Sequence, residues 1–312
     1  MDQLRSLEAF VAVAETSGFA SAAKKLGVSK SVVTTRVQQL EAWIESPLFH
    51  RTTRSVRLTR VGEAFHAECA ELLERTVRLV DRMREMKGSA RGLLRIHVLP
   101  GYAFGLFDRH LAAFGARHPE IELEIVVSDA IIDPALEGFD CTIQIFEPVS
   151  DNLVARRLFA WRPVFCASPA YLAAHGAPKV PADLAAHRLA LYSRYPRSHA
   201  WEFRRGKLAT TVQLASVVRS TSVQLLRDFA RGSAGIACLP TLIAAEDLLA
   251  GELVPVLRGY SLPAFWLSAV YPSAGAASLK LKLFLAELAL GGDRTLPAWD
   301  RELVSRRLIT VR

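Results

Sequence analysis

The chain has 312 residues, 51% of them hydrophobic, and a formal net charge of +8. It is long enough for one large or two to three modest domains and too apolar for wholesale disorder. The positive balance suits polyanion partners and says nothing of fold. Cys69, Cys141, Cys166 and Cys238 are scattered, with no CxxC pair and no histidine at metal spacing. No metal site is expected, and buried thiols are their ordinary state. Met1–Asp2–Gln3–Leu4–Arg5 lacks the pattern of a signal peptide, and no apolar run reaches membrane-spanning length. A reducing, cytoplasmic setting without membrane contact is expected.

From Leu4 to Ser17, apolar residues at Leu4, Leu7, Phe10, Val11 and Ala14 repeat at helical spacing. A short helix over SAAKKLG follows, with Gly27 placed to cap its end. Ser29 is a good N-cap for a third helix, whose buried stripe is Val33, Val37, Leu40 and Ile44 and whose stop is Pro47. Two helices joined by a short Gly-containing turn make a helix-turn-helix. LFHRTTRSVRLT then reads as a hairpin, or wing, carrying Arg51, Arg54, Arg57 and Arg60. Thr59 to about Met86 reads as a long charged helix, with a seam that includes Val61, Phe65, Leu72, Val77 and Met83. Such a helix suits pairing with a copy of itself. KGSARG is a breaker-rich linker.

Beyond it the pattern alternates strand and helix, which predicts α/β structure with a largely parallel sheet. LLRIHVL, IELEIVVS and DCTIQIF are strands, the first two separated by a helix over FGLFDRHLAAFGARHP. A second unit of similar build runs from RPVFCAS through TLIAAEDLLAG. AFWLSAVYP is a late strand and SLKLKLFLAELAL a late helix, and a further helix is expected around Trp299–Arg307.

The run LEAFVAVAETSGFASAAKKLGVSKSVVTTRVQQLEAWIESPLFHRTTRSVRLTRVGEAF resembles the N-terminal winged helix-turn-helix of LysR-type transcriptional regulators. The match holds at Phe10, Ala22–Ala23, Leu26, Ser29, Ser31, Glu41, Pro47–Leu48–Phe49, Arg51, Leu58–Thr59 and Gly62. Farther on, FGARHPEIELEI, EGFDCTIQI, ASPAYL, SAGIACLP and GELVPVL resemble phrases of the same family's effector domain. The resemblance implies a winged helix-turn-helix (1–60), a dimerisation helix (61–90) and an effector domain (91–290). The effector domain would have two Rossmann-like α/β subdomains of the periplasmic solute-binding type, about 91–161 plus 267–290, and 162–266. A C-terminal tail, 291–312, would follow. It also implies a sequence-specific regulator of transcription that binds double-stranded promoter DNA, forms homodimers that often pair into tetramers, contacts RNA polymerase, and answers to a small-molecule effector in the cleft.

Affinity for DNA comes mainly from phosphate neutralisation, and specificity from base edges. On the third helix Lys30, Ser31, Thr34, Thr35 and Gln38 share the side away from the buried stripe, with Ser29 at the N-terminus. This N-terminal half is the part that meets base edges in such motifs. Thr and Ser hydrogen-bond several edges, and a Thr methyl packs on a thymine methyl. Lys30, and Arg36 beside that face, suit a guanine edge or a phosphate. Arg51, Thr53, Arg54 and Arg57 of the wing suit phosphate contact or a narrow minor groove.

In paired α/β units, ligands sit outside the carboxyl ends of strands. The candidate rim is Pro100, Gly101 and Tyr102, then Ser128–Asp129, then Phe146 and Glu147; across from it stand Arg194, Thr221 and Ser222. Helix N-termini suit a carboxylate, while Tyr102 and Phe146 suit an aromatic or apolar ligand. Gly101 stands where the family often has a hydroxyl, which removes that contact. GxSxG, GxGxxG, P-loop and zinc motifs are absent from the sequence, so no cofactor and no enzymatic activity are expected. A solute-binding protein or an enzyme with a DNA-binding appendage are the competing classes, and the attached winged helix argues against the first.

Overall fold

The computed structural model describes residues 2–51, 56–85, 90–195, 200–273, 278–288 and 293–311. The chain forms two compact units, Met1–Ser89 and Ala90–Arg312.

In the first unit, helices α1 (Gln3–Thr16), α2 (Phe19–Leu26) and α3 (Lys30–Ile44) are followed by strands β1 (Phe49–Arg51) and β2 (Val56–Leu58) and helix α4 (Arg60–Glu85). Asp2 caps α1 by accepting from Arg5 N, and Ser29 caps α3 by accepting from Val32 N. Gly27 ends α2 at φ 65°, its N–H donating to the carbonyls of Ala23 and Lys24. The core is one cluster centred on Phe10, whose ring lies 5.3 Å from Phe49 and 5.4 Å from Phe65. Burying such a ring contributes about 1.5–3 kcal/mol. Val33, Val37 and Leu40 place one face of α3 in the same core, each 0% exposed.

The wing is tied to this core through polar contacts. β1 and β2 pair antiparallel, with Phe49 opposite Leu58, His50 opposite Arg57 and Arg51 opposite Val56. Glu41 Oε1, on α3, accepts from the backbone N–H groups of Leu48 (2.9 Å) and Phe49 (3.3 Å). Thr59 Oγ1 donates to Pro47 O and accepts from Gly62 N. The hairpin tip, with Thr53 and Arg54, and the linker residues 86–89 lie outside the described residues, as does the side chain of Arg51.

The second unit holds two five-stranded sheets. It begins with β3 (Gly92–Val98), then a helical run of α5 (Pro100–Tyr102), a π turn (Ala103–Phe107) and α6 (Asp108–Arg117). β4 (Ile121–Val127), β5 (Cys141–Gln144) and β6 (Leu153–Trp161) follow. Next come β7 (Pro163–Ala167), α7 (Pro169–His175), a 3₁₀ turn (Pro181–Ala186) and β8 (Leu189–Tyr192). A hairpin of β9 (Ala200–Arg205) and β10 (Leu208–Gln213) leads to β11 (Val218–Ser220) and α8 (Val223–Arg231). β12 (Ile236–Pro240), α9 (Thr241–Ala250), β13 (Val254–Pro255) and β14 (Phe265–Pro272) precede α10 (Leu279–Glu287) and α11 (Ala298–Ser305). The sheet orders are β4-β3-β5-β14-β6 and β11-β8-β12-β7-β13.

The expectation of a largely parallel sheet is corrected to two mixed sheets. β3 pairs parallel with β4 and β5, but β14 runs antiparallel to β5 and β6. β8 pairs parallel with β11 and β12, but β7 runs antiparallel to β12 and β13. The cause is the crossing of the chain between sheets: β6 leaves the first sheet, β7 enters the second within one residue, and β14 returns. The return joins the first sheet at Phe265, where Phe265 and Trp266 pair with Trp161 and Ala160.

The tail folds back on this unit. Ala160 N donates to Arg294 O at 2.9 Å, and Trp299 stands edge-on to Phe159 at 5.2 Å. Leu303 and Asp300 are 0% exposed, and Asp300 is ion-paired with Arg162, the single residue between β6 and β7. Thr310 Oγ1 donates to Arg258 O at 2.7 Å.

A Cβ on Gly62 would lie 2.2 Å from the carbonyl oxygen of Leu48, where backbone cannot give way easily. Gly62→Ala is expected to destabilise the first unit by about 1–3 kcal/mol, seen as an earlier thermal transition of the full chain and weaker DNA binding. An unchanged transition would contradict this packing account.

Candidate nucleic-acid interface and effector cleft

On α3 the exposed side carries Lys30, Ser31, Thr35 and Gln38, with Thr34 half-buried among them. Its hydroxyls are partly engaged with one another and with the helix. Ser29 Oγ and Ser31 Oγ lie 2.9 Å apart, and Thr34 Oγ1 donates to Lys30 O at 2.9 Å. Arg36 is a correction: it is half-buried and does not adjoin this face. At about 100° per residue it falls on the far flank of the buried stripe, next to Val33 and Leu40. Arg57 is exposed on β2, opposite the exposed His50. Glu41 is the residue the sequence reading undervalued. It matched the resemblance, and the geometry gives it a task, fixing the wing's entry to α3 through two backbone N–H groups.

In the second unit the carboxyl ends of β3, β4 and β5 face those of β8 and β11. Ser128 and Asp129 follow β4, and Arg194 follows β8. Arg194 Nε donates to Asp129 Oδ2 at 2.9 Å, so one ion pair joins the two sheets' ends. Burial and the nearby Asp129 carboxylate push the Tyr192 hydroxyl up. Ser222 caps α8, accepting from Leu225 N, and its own N–H donates to Ser220 Oγ. Thr221 is exposed beside it, and Gln224 Nε2 is buried without a partner among the described residues.

The remaining rim candidates divide. Pro100 and Phe146 are half-buried, and Glu147 is exposed. Tyr102 is corrected from wall to core: it is 0% exposed, with its ring 5.3 Å from Phe107 and 5.7 Å from Phe159. Gly101 shows why the hydroxyl is missing there. A Cβ would press on Val223 at 3.1 Å and Trp161 at 3.2 Å, where strand β6 and helix α8 approach α5.

His97 is a site residue that the sequence did not flag, a lone histidine within an apolar strand. It is 3% exposed, with Nδ1 2.9 Å from Thr142 Oγ1 and Nε2 2.8 Å from Ser128 Oγ. It therefore fixes the orientation of the rim residue Ser128. Burial holds its pKa below the ordinary value, partly opposed by the Asp129 charge. All four cysteines are buried, and burial raises each thiol, Cys69 to about 11. Thiols held protonated in this way are inert. Among the described residues no group of three His, Cys, Asp or Glu is placed to hold a metal, and no helix is long and apolar enough to cross a membrane.

A winged helix-turn-helix with a hydroxyl-rich exposed helix face, joined to a two-sheet α/β domain with a cleft at its strand ends, defines a ligand-responsive DNA-binding protein. Comparison with known proteins makes this specific. Residues 4–63 match the bacterial regulatory helix-turn-helix protein, lysR family, and residues 87–291 match the LysR substrate binding domain. The chain is 32% identical over 282 residues to the HTH-type transcriptional regulator DmlR of Escherichia coli, covering 90% of this chain and 91% of that protein. The structure of CrgA, a LysR-type transcriptional regulator from Neisseria meningitidis, superposes with a TM-score of 0.59 at 28% identity, covering 91% and 97%. The full-length Vibrio cholerae virulence activator AphB shares the fold, with a TM-score of 0.61 at 24% identity, covering 91% and 98%. The chain belongs to the LysR family: it is a transcriptional regulator with a helix-turn-helix DNA-binding domain and an effector-binding domain.

In the unfolded chain the His97 ring titrates near 6.5, and in the fold its pKa is lower. The unfolded state then takes the proton first as pH falls. The stability contributed by the neutral ring is full above 6.5 and is lost as pH drops below that value toward the folded one. Between about pH 7.5 and about pH 5.5 the unmodified protein should lose more thermal stability than His97→Gln. Equal losses would remove His97 from this account.

Proposed function

We propose that the exposed side of α3 is the base-reading surface of this regulator, with Lys30, Ser31, Thr34, Thr35 and Gln38 in the major groove and Ser29 at the helix start. Arg51, Thr53, Arg54 and Arg57 then hold phosphate or a narrow minor groove from the wing. The observation that carries this is the division of α3 itself. Val33, Val37 and Leu40 are fully buried, while the side away from them carries a lysine, hydroxyls and an amide open to solvent. Copies of the chain pair through α4, and pairs assemble further. Support comes from Val61, Leu72, Val77, Val80 and Met83, which stand 43–55% exposed on that helix. The regulator works in the cytoplasm and meets RNA polymerase when bound at a promoter.

The effector in this reading is a small acid, with an aromatic or aliphatic body, held at the strand ends between the two sheets. The Asp129–Arg194 ion pair favours it: Arg194 is a cation at the strand ends already paired with a carboxylate, the group that an acid would present to it. An effector carboxylate displaces Asp129, contacts Arg194, Ser128, Thr221 and Ser222, and shifts the population of sheet-to-sheet arrangements. Pro100, Gly101, Phe146 and Glu147 border its path, and Tyr102 supports it from the core. The chain catalyses no reaction. His97 lies between two hydroxyls, with a threonine where a hydrolase would place an orienting carboxylate.

Arg57→Ala and Arg54→Ala should each weaken binding to operator and unrelated duplexes alike and lower the salt dependence by about one ion per site. Thr35→Ala should instead change preference at particular base pairs, by about 1–3 kcal/mol. Gel-shift titrations at several salt concentrations separate the two. A base-specific effect of the arginine changes, or a uniform effect at Thr35, would reverse the assignment. Arg194→Ala should abolish the response of the footprint to effector acids while leaving basal DNA binding in place.

A further inference from the structure

The second unit contains a cavity of about 370 Å³ away from the cleft. Its position is unusual, because both crossings between the sheets contribute to its wall. Arg162 is the residue between β6 and β7, and Leu262, Pro263 and Ala264 lead into β14. The C-terminal tail closes another side with Leu308 to Val311, held by the Thr310–Arg258 hydrogen bond. These tail residues lie beyond the segment matched to the LysR substrate binding domain, which ends at 291.

The lining has a definite chemistry. Val164, Phe165, Phe203, Leu257 and Ile309 make the apolar part of its wall, and Thr241, Tyr260, Ser261 and Thr310 add hydroxyls. Three arginines border it, and no acidic residue does. Two of the three are neutralised by acids outside the chamber: Arg162 pairs with Asp300, and Arg204 with Glu202. Arg258 has no carboxylate partner among the described residues; its Nε donates to the Pro255 carbonyl at 3.2 Å. One exposed cation without a carboxylate partner, at the edge of a partly apolar chamber, matches one negative charge on an apolar body. Leu257, 8% exposed, is held at φ 55° in the wall. Bulky residues adopt that conformation at a cost, and such strain collects at ligand clamps.

We propose that this cavity is a second ligand site, separate from the cleft, for an amphipathic monocarboxylate of about ten heavy atoms, a size suited to chambers of this volume. The carboxylate pairs with Arg258, and the apolar body fills the chamber between the two chain crossings and the tail. An occupant there touches both connections that set one sheet relative to the other, so it biases the same equilibrium as a cleft ligand without entering the cleft.

Decanoate is the test probe, with decanol as its uncharged counterpart, on the full chain. Thermal shift and calorimetric titration should show saturable decanoate binding, with decanol about tenfold weaker. Arg258→Ala should weaken decanoate about tenfold, and Leu262→Trp, which fills the chamber, should remove binding. A diazirine-bearing fatty acid needs no variant to fold: its label should fall within residues 256–264 or 308–311. The proposal is overturned by absence of saturable binding, by labels confined elsewhere, by equal affinity in Arg258→Ala, or by binding that depends on Arg194 in place of Arg258. The last result would place the acid in the cleft and leave the reading of the cleft standing.

Discussion

The second unit depends on how one residue is held. Arg162 is all the chain between β6 of one sheet and β7 of the other, and it is largely buried. A buried guanidinium needs a partner, because an uncompensated charge there costs several kcal/mol. Asp300 supplies it from α11, and Thr295 O accepts a second bond. Burial pushes the Asp300 carboxyl up, with Arg162 opposing the shift. The tail is therefore not an appendage. It carries the counter-charge for the crossing, and Trp299 and Leu303 bury the apolar surface that holds this charge in place.

The same economy of space shapes the cleft. Gly101 packs so closely on Val223 and Trp161 that a side chain there would push against both. The helical turn α5 after β3 therefore offers no side chain at Gly101, and the polar groups near the strand ends come from residues that the sheets bring in from elsewhere. Ser128 is oriented by His97, and Arg194 is paired across the sheet ends with Asp129. Ser128, Arg194 and Ser222 each have a partner within the chain, so in the proposed cleft a ligand would exchange partners with them.

Much of the fold was legible in the sequence because short-range rules govern it. Ser29 and Gly27 cap helices through bonds to residues three or four away, and the stripe Val33, Val37, Leu40 follows from helical period alone. The strand IELEIVVS begins at Ile121 as read and ends at Val127, one residue short of the reading. What was not legible required knowledge of distant partners. The β9–β10 hairpin was missed although Trp201 and Phe203 alternate inward and Gly206 turns at φ 63°; the two adjacent arginines and a lysine obscured that alternation. β6 was missed for the same reason, since Arg156 and Arg157 interrupt it. The antiparallel entry of β7 and β14 is a fact of chain crossing that no local pattern carries. At the site, Ser128 and Arg194 were found by their place after strands. His97 there, and Asp300 at the chain crossing, were not, because their roles arise from burial beside residues far along the chain.

One contact on α3 changes what its surface can say to a base. The Thr34 hydroxyl gives its proton to the Lys30 carbonyl one turn back. A hydroxyl has one proton and two lone pairs, so Thr34 retains only the capacity to accept. In the major groove, adenine N6 and cytosine N4 donate, whereas guanine O6 and thymine O4 accept. The backbone of the helix thus imposes a polarity on a residue that is ambivalent by chemistry, and in the proposed base-reading role the carbonyl beneath it would make Thr34 selective.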